Sequence, residues 1–438
     1  MLVELVDIIL GFLRDDWRAL AACHLVDPDV WAPLALAHLS KSQDLALVVD
    51  GRAGCSDVGD FHRIFLPDRP ISQAVRFLTV RGANADIADL LPFPDELDLR
   101  HLPHLTSLRV QRFVVDSLQI FTLVVARCHA LRELSIDSVL FERDAATNTP
   151  KAGPVTHILP PNLQTLRILE PREMSPISFV APLIYSMLCT SETSFPVHSL
   201  MLYRGLGPDS SDGFLSLLGH WFPRIQATLM RLSISVPVVH LASTRLSLLN
   251  MLAYLQRFPD AIIDLPRLCD LTIRYQPEDV SSYMSALGRF FMPKRPLVSA
   301  RVLQRIRLAL PYSRPTGDIQ ATMAEFARVP HILSKDVYPA LSDVHINILW
   351  DPDERGDSEA LLASEVDAFV HAVRSAVRPK SKQDAVVTVD AIRREEWEKY
   401  YCSLSAWNRM GMGGQARHQV CTSLQQTLWT TGSSTLRS

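Results

Sequence analysis

Residues 105–110, Leu105-Thr-Ser-Leu108-Arg-Val110, come back 26 residues later as Leu131-Arg-Glu-Leu134-Ser-Ile136. The shared phrase is apolar-x-x-apolar-x-apolar, and further copies start at Val75, Leu163, Val197, Leu229, Leu268, Leu303 and Leu341. The last two apolar residues of each copy are two apart. On an extended chain they point to one side while the residue between them points to the other, which predicts a short half-buried strand. Pro103, Pro160 with Pro161, Pro266 and Pro339 precede several copies, as turn-forming residues would.

Between the phrases lie helix-like stretches at 116–128, 212–222, 243–258, 279–291, 318–329 and 358–377. Most open on Asp or Ser as an N-cap and carry apolar residues at three-to-four spacing. Strands alternating with helical returns predict a parallel sheet with right-handed crossovers, and near-regular repetition predicts that the units stack as a solenoid. A doubly wound α/β domain is the rival that the same alternation allows. The phrase resembles the leucine-rich-repeat family over roughly residues 75 to 350. It departs from that family three residues after the last strand apolar position, where the usual Asn or Cys is replaced by Ala83, Phe113, Val139, Pro171, Gly205, Pro237, Gln276, Pro311 and Leu349.

Ahead of the repeats, apolar residues fall at helical spacing as Leu5, Ile8, Ile9, Phe12 and Leu13, then Leu20, Cys23, Leu25 and Val26, then Trp31, Leu34, Leu36 and Leu39. They predict three short helices broken near Asp15-Asp16 and Asp27-Pro28-Asp29, a unit too small to bury all its apolar surface alone. The run Glu4-Leu5-Val6-Asp7-Ile8-Ile9-Leu10-Gly11-Phe12-Leu13, followed by Leu20-Ala21-Ala22-Cys23-His24-Leu25-Val26, Trp31 and His38-Leu39, is similar to an F-box. The wording is closest to the F-box proteins with irregular leucine-rich repeats that are numerous in mushroom-forming fungi. Val3 stands where that family usually has proline, and Asp27-Pro28-Asp29-Val30 replaces its short basic stretch.

The resemblance implies an α/β chain with a three-helix F-box-like segment over 1–40 and a right-handed parallel β/α repeat solenoid, which with its C-terminal cap covers 41–407; the Gly, Ser, Thr and Gln composition beyond Met410 predicts a disordered tail over 408–438. It implies docking to the Skp adaptor subunit of a cullin–RING ubiquitin ligase through Leu5, Ile8, Ile9, Leu13, Leu20, Val26 and Trp31. The function it implies is substrate recruitment by a non-enzymatic adaptor. Two other readings stay open: a repeat scaffold without ligase function, and helices that merely cap the solenoid.

Composition narrows the alternatives. A net charge of −3 and a pI near 6.5 supply no global basic field for nucleic acid or an anionic membrane. Seven cysteines without a Cys-x-x-Cys pair read as reduced, buried thiols and an intracellular setting. The start has no basic n-region, and the apolar run 113–126 is shorter than a membrane span. No Gly-x-Ser-x-Gly elbow, Walker loop or His-Glu-x-x-His pair is present, so neither enzyme, metal nor cofactor is expected. The acidic stretch Asp351-Pro-Asp353-Glu-Arg355-Gly356 lacks the ligand set of a calcium loop.

A partner surface is expected on the strand positions that face away from the leucines. Arg109, Arg167 and Arg307 lie between paired apolar positions, and Tyr203, Arg231, Arg274 and Arg305 neighbour them. Guanidinium forks beside an aromatic suit an acidic or phosphorylated protein segment. Residues 385–389 are predicted to form one more strand, and Ile392 to Trp407 an amphipathic capping helix.

Overall fold

The computed structural model describes residues 2–13, 16–42, 45–49, 57–66, 69–83, 90–94, 96–115, 118–141, 160–169, 197–203, 227–237, 263–276, 298–312, 319–333, 337–350, 359–377, 385–394 and 396–397. The helical stretches expected at 212–222, 243–258 and 279–291, and the tail from 398, lie outside them.

Three helices open the chain: α1 (Leu2–Phe12), α2 (Trp17–His24) and α3 (Trp31–Lys41). Asp16 starts α2, its Oδ1 accepting from the amides of Arg18 and Ala19 at 3.0 Å each. This satisfies two of the donors that a helix N-terminus leaves open. Asp27 Oδ1 accepts from the amides of Asp29 (2.7 Å) and Val30 (2.9 Å), turning the chain into α3. The acidic stretch that departs from the F-box pattern thus has a local structural task.

After β1 (Ala46–Val49), α4 (Asp57–Ile64) and α5 (Pro70–Ala74), all nine phrases appear as strands. They are β2 (Phe77–Gly82), then, past the two-residue β3 (Leu91–Pro92), β4 (Ser107–Val115), β5 (Glu133–Phe141), β6 (Thr165–Leu169) and β7 (Ser199–Tyr203). Next come β8 (Arg231–Pro237) and, past β9 (Ile263–Asp264), β10 (Asp270–Gln276). Past β11 (Val298–Ser299) come β12 (Arg305–Pro311) and β13 (Asp343–Trp350). The last strand is β14 (Val386–Arg393).

The main sheet runs β1-β2-β4-β5-β6-β7-β8-β10-β12-β13-β14 with every pairing parallel, and β3 adds beside β4. Neighbouring strands follow one another in sequence. That order is the ladder of stacked repeats, and it excludes the doubly wound alternative, whose strand order reverses at a switch point. Beyond α4 and α5, the described crossover helices are α6 (Leu118–Ala126), α7 (Ile319–Phe326) and α9 (Glu359–Ala376), each where helical periodicity predicts one, with the unforeseen single turn α8 (Val329–Ile332) after α7.

The recurring geometry of the repeats is a shared carbonyl, preceded in several of them by a turn. The amides of Leu105, Leu163, Leu268 and Leu341 donate to the carbonyls of Leu102, Pro160, Leu265 and Tyr338 at 3.0–3.1 Å. Pro103, Pro161, Pro266 and Pro339 therefore sit at the second position of these turns, where a fixed φ near −65° is what the turn needs. One carbonyl in each preceding repeat then takes two successive amides. Arg76 O accepts from Thr106 (2.8 Å) and Ser107 (3.0 Å), and Thr106 O from Arg132 (2.8 Å) and Glu133 (3.0 Å). The pattern continues to Gln304 O, which accepts from Ser342 (2.9 Å) and Asp343 (3.1 Å). Main-chain bonds at the strand start thus link successive repeats without an asparagine ladder.

The positions of the missing asparagine show why it is absent. Phe113, Val139 and Leu349 remain inside strands and are buried. On β4 and β5 the ladder registers Gln111 with Asp137 and then Phe113 with Val139. Arg112 and Ser138 fall between these pairs with φ of 59° and 55°. These matched left-handed residues shift the alternation by one position, so Phe113 and Val139 take the core side that Arg112 and Ser138 would otherwise occupy.

One apolar core runs from Val6 and Leu10 through the leucine rows to Val389. The N-terminal helices share it: Trp17 meets Phe61 and Phe65 with ring centroids 5.8 and 5.6 Å apart. Each fully buried leucine contributes about 1.5–3 kcal/mol relative to exposure.

Candidate protein-interaction surfaces

Helix α1 is apolar on both sides. Val6 and Leu10, four apart, face the core, while Val3, Leu5, Ile8, Ile9 and Phe12 are exposed, Phe12 to 86%. Leu25 and Val26 after α2 are exposed as well. Seven large apolar side chains left in water on one small helical unit are unusual for a surface that meets only solvent.

The residues expected to dock an adaptor divide accordingly. Leu5, Ile8, Ile9 and Val26 are exposed, Leu13 and Trp31 are partly buried against the core, and Leu20 is 0% exposed and packs internally. Phe12 and Leu25 join the exposed set; Phe12 is found by its helical spacing to Leu5 and Ile8, while Leu25 follows the last residue of α2. Asp7 on α1 meets His38 Nε2 on α3 at 2.9 Å, tying the two helices together.

The second surface is the sheet face opposite the leucines. Thr79, Arg109, Ser135, Arg167, Met201, Ser233, Thr272, Arg307, His345 and Thr388 stand in register across ten strands. Arg231 and Arg305 lie one row before and Arg274 one row after, so the six arginines among the seven expected partner residues share this face, and Tyr203 stands one register row after Met201. The side chain of Tyr203 is not among those described.

The face differs from the open arginine wall that alternation predicts. Arg167 is 1% exposed and Arg274 is buried, as are Ser135, Met201, Ser233 and Thr272 in the middle of the row. The charges are also matched by carboxylates that the sequence reading passed over. Arg109 Nη2 donates to Asp137 Oδ2 at 2.9 Å, and Gln111 Nε2 donates to the same oxygen at 2.7 Å. Asp270 lies between Arg231 (3.6 Å) and Arg305 (3.4 Å), and Asp343 follows Arg305 in register. These acids sit at the same period-two positions as the arginines, which is the signal that could have found them.

At the C-terminal end of this face, His345 Nδ1 lies 2.7 Å from Thr388 Oγ1. Burial, and then the nearby Arg307, lower the His345 pKa and favour its neutral form. Elsewhere, burial pushes the Cys128 thiol up to about 12, the reverse of an activated nucleophile. Among the described residues no group of three His, Cys, Asp or Glu could hold a metal ion, and no helix is long and apolar enough to cross a membrane.

No protein-family model matches the sequence, and no curated protein matches it. Among solved structures, the chain is similar to an internalin from Listeria monocytogenes, at 12% identity, over 87% of this chain and 88% of that one, with a TM-score of 0.26. A TM-score that low carries no argument, and the fold rests on the strand ladder itself.

Proposed function

We propose that this chain is a substrate-recruiting adaptor: its N-terminal helices dock on the Skp adaptor subunit of a cullin–RING ubiquitin ligase, and the non-leucine face of the sheet holds the protein to be modified. The chain itself performs no chemistry. It raises the local concentration of its cargo beside subunits that do. The observation that carries the reading is the exposed set Val3, Leu5, Ile8, Ile9, Phe12, Leu25 and Val26, on helices whose opposite side is already packed through Val6, Leu10 and Leu20. That face coincides with the segment that resembles an F-box. Leu5, Ile8, Ile9 and Val26 are assigned to the contact, with Phe12 and Leu25 added, and Leu20 to the internal packing beneath it.

The test is co-purification with the Skp subunit, wild type against a Leu5→Ala, Ile8→Ala double variant. Stoichiometric capture lost in the variant supports the reading. Absence of capture by the folded wild type overturns it and leaves a repeat scaffold whose helices cap the sheet.

A further inference from the structure

The two ends of the main sheet are finished differently. At one end β1 is four residues long, with α4 packed against it. At the other, β14 runs for eight residues, and among the described residues no strand pairs its outer side. The amide of Val386 donates to the Ser342 carbonyl at the start of β13, at 2.8 Å. Backbone groups of successive residues alternate between the two sides of a strand, so Thr388, Asp390 and Ile392 also turn theirs to β13. The amides and carbonyls of Val387, Val389, Ala391 and Arg393 therefore point out of the sheet, and an open row of that length is a template for another strand. One side chain interrupts the row. Arg374, in the last turn of α9, donates from Nε to the Val389 carbonyl at 2.7 Å, and its Nη2 lies 3.3 Å from Asp390 Oδ1. The Arg374 side chain is 54% exposed, so the middle of this edge meets solvent.

We infer that Arg374 guards the open edge of the sheet, keeping β14 from pairing with β14 of a second copy. The strand's own sequence favours that partner. Laid antiparallel about a two-fold axis at Val389, β14 sets Val387 opposite Ala391, Thr388 opposite Asp390 and Val386 opposite Ile392, with no like charges facing each other. Val386 is 60% exposed in the single chain, and this pairing covers it. At the axis the two Val389 residues exchange both backbone bonds, which needs the carbonyl that Arg374 holds. Moving the axis to Asp390 sets two carboxylates against each other. The guanidinium thus blocks the self-complementary register at its centre. A charged side chain on the edge is one of the means by which open sheets avoid joining edge to edge. The inference is independent of what α1 or the non-leucine face binds.

The experiment measures the solution mass of the full chain by light scattering after size exclusion, at one concentration, for wild type, Arg374→Ala and Arg374→Ala combined with Ala391→Pro. Proline at 391 removes an outward amide and leaves the bonds to β13 in place. The expected result is a rise in mass of about twofold or more for Arg374→Ala over wild type, and a return to the wild-type mass in the double variant. An unchanged mass in folded Arg374→Ala, or a rise that the proline does not reverse, overturns the inference. Should the alanine variant not fold, Arg374→Lys decides. Its ammonium keeps the cation but lacks the planar fork that holds carbonyl and carboxylate together, so its mass should exceed that of wild type, and a mass equal to wild type overturns the inference.

Discussion

Arg109 and Asp137 face each other across adjacent strands, with Nη2 to Oδ2 at 2.9 Å, and both side chains are largely shielded from water. The same carboxylate oxygen takes the Gln111 amide, so removing it strands two donors. Asp137→Ala should lower the unfolding free energy by about 1.5–3 kcal/mol, the range for a hydrogen bond to a charged group. Urea denaturation checks this: the midpoint should fall at unchanged slope.

Gly82 ends β2 where the Arg112 carbonyl crosses it, and an added Cβ would run into that carbonyl oxygen. Arg112 is held there by its left-handed backbone, so the oxygen cannot easily retreat. Gly82→Ala should destabilise by about 1–3 kcal/mol, as overpacking does. Thermal unfolding provides the measurement, and an unchanged midpoint would show that β2 and β4 can part at no cost.

Two apolar residues of the N-terminal unit should behave oppositely. Leu20→Ala empties a fully buried site and should cost about 2–5 kcal/mol. Phe12→Ala removes a side chain already in water and should leave stability within about 0.5 kcal/mol, while weakening capture of the adaptor. Paired denaturation and capture assays separate the two effects.

Asp98 supplies a pH dependence. Its hydrogen bond from Arg100, at 2.8 Å from Nε, holds the carboxyl down to about 2 from an ordinary 3.8. The folded state therefore binds this proton less readily than the unfolded state. The contribution to stability is present above about pH 4 and is lost as pH falls towards 2. Asp98→Asn should flatten the acid limb of a stability-against-pH curve in that window and leave the neutral region unchanged in slope.

The leucine phrases were legible because strand periodicity and turn proline are local signals. Leu105, Leu108 and Val110 need only alternation to choose a side, and Pro103 needs only its ring to favour a turn. The strand β1 was not foreseen, since its Ala46-Leu-Val-Val run lacks the phrase. Ile392 and Arg393, expected to begin a helix, instead finish β14, where pairing with Leu349 and Trp350 of β13 overrides helical periodicity. The remainder of that expected helix beyond 397 lies outside the described residues. Placement of the six arginines on one face was also legible, because period two fixes sides.

By itself, then, the amino-acid order determined the repeating unit, its strand and turn positions, the side each residue takes and the helical character of the first forty residues. All of these follow from backbone geometry over a few neighbours. Only the tertiary structure decided that Arg167 is buried, that Asp270 sits between Arg231 and Arg305, that Arg112 and Ser138 shift the strand phase together, and that Trp397 returns over Ala309. Burial and charge pairing depend on which strand lies about 4.8 Å away, and that neighbour is more than thirty residues distant along the chain in the Asp270 and Trp397 cases.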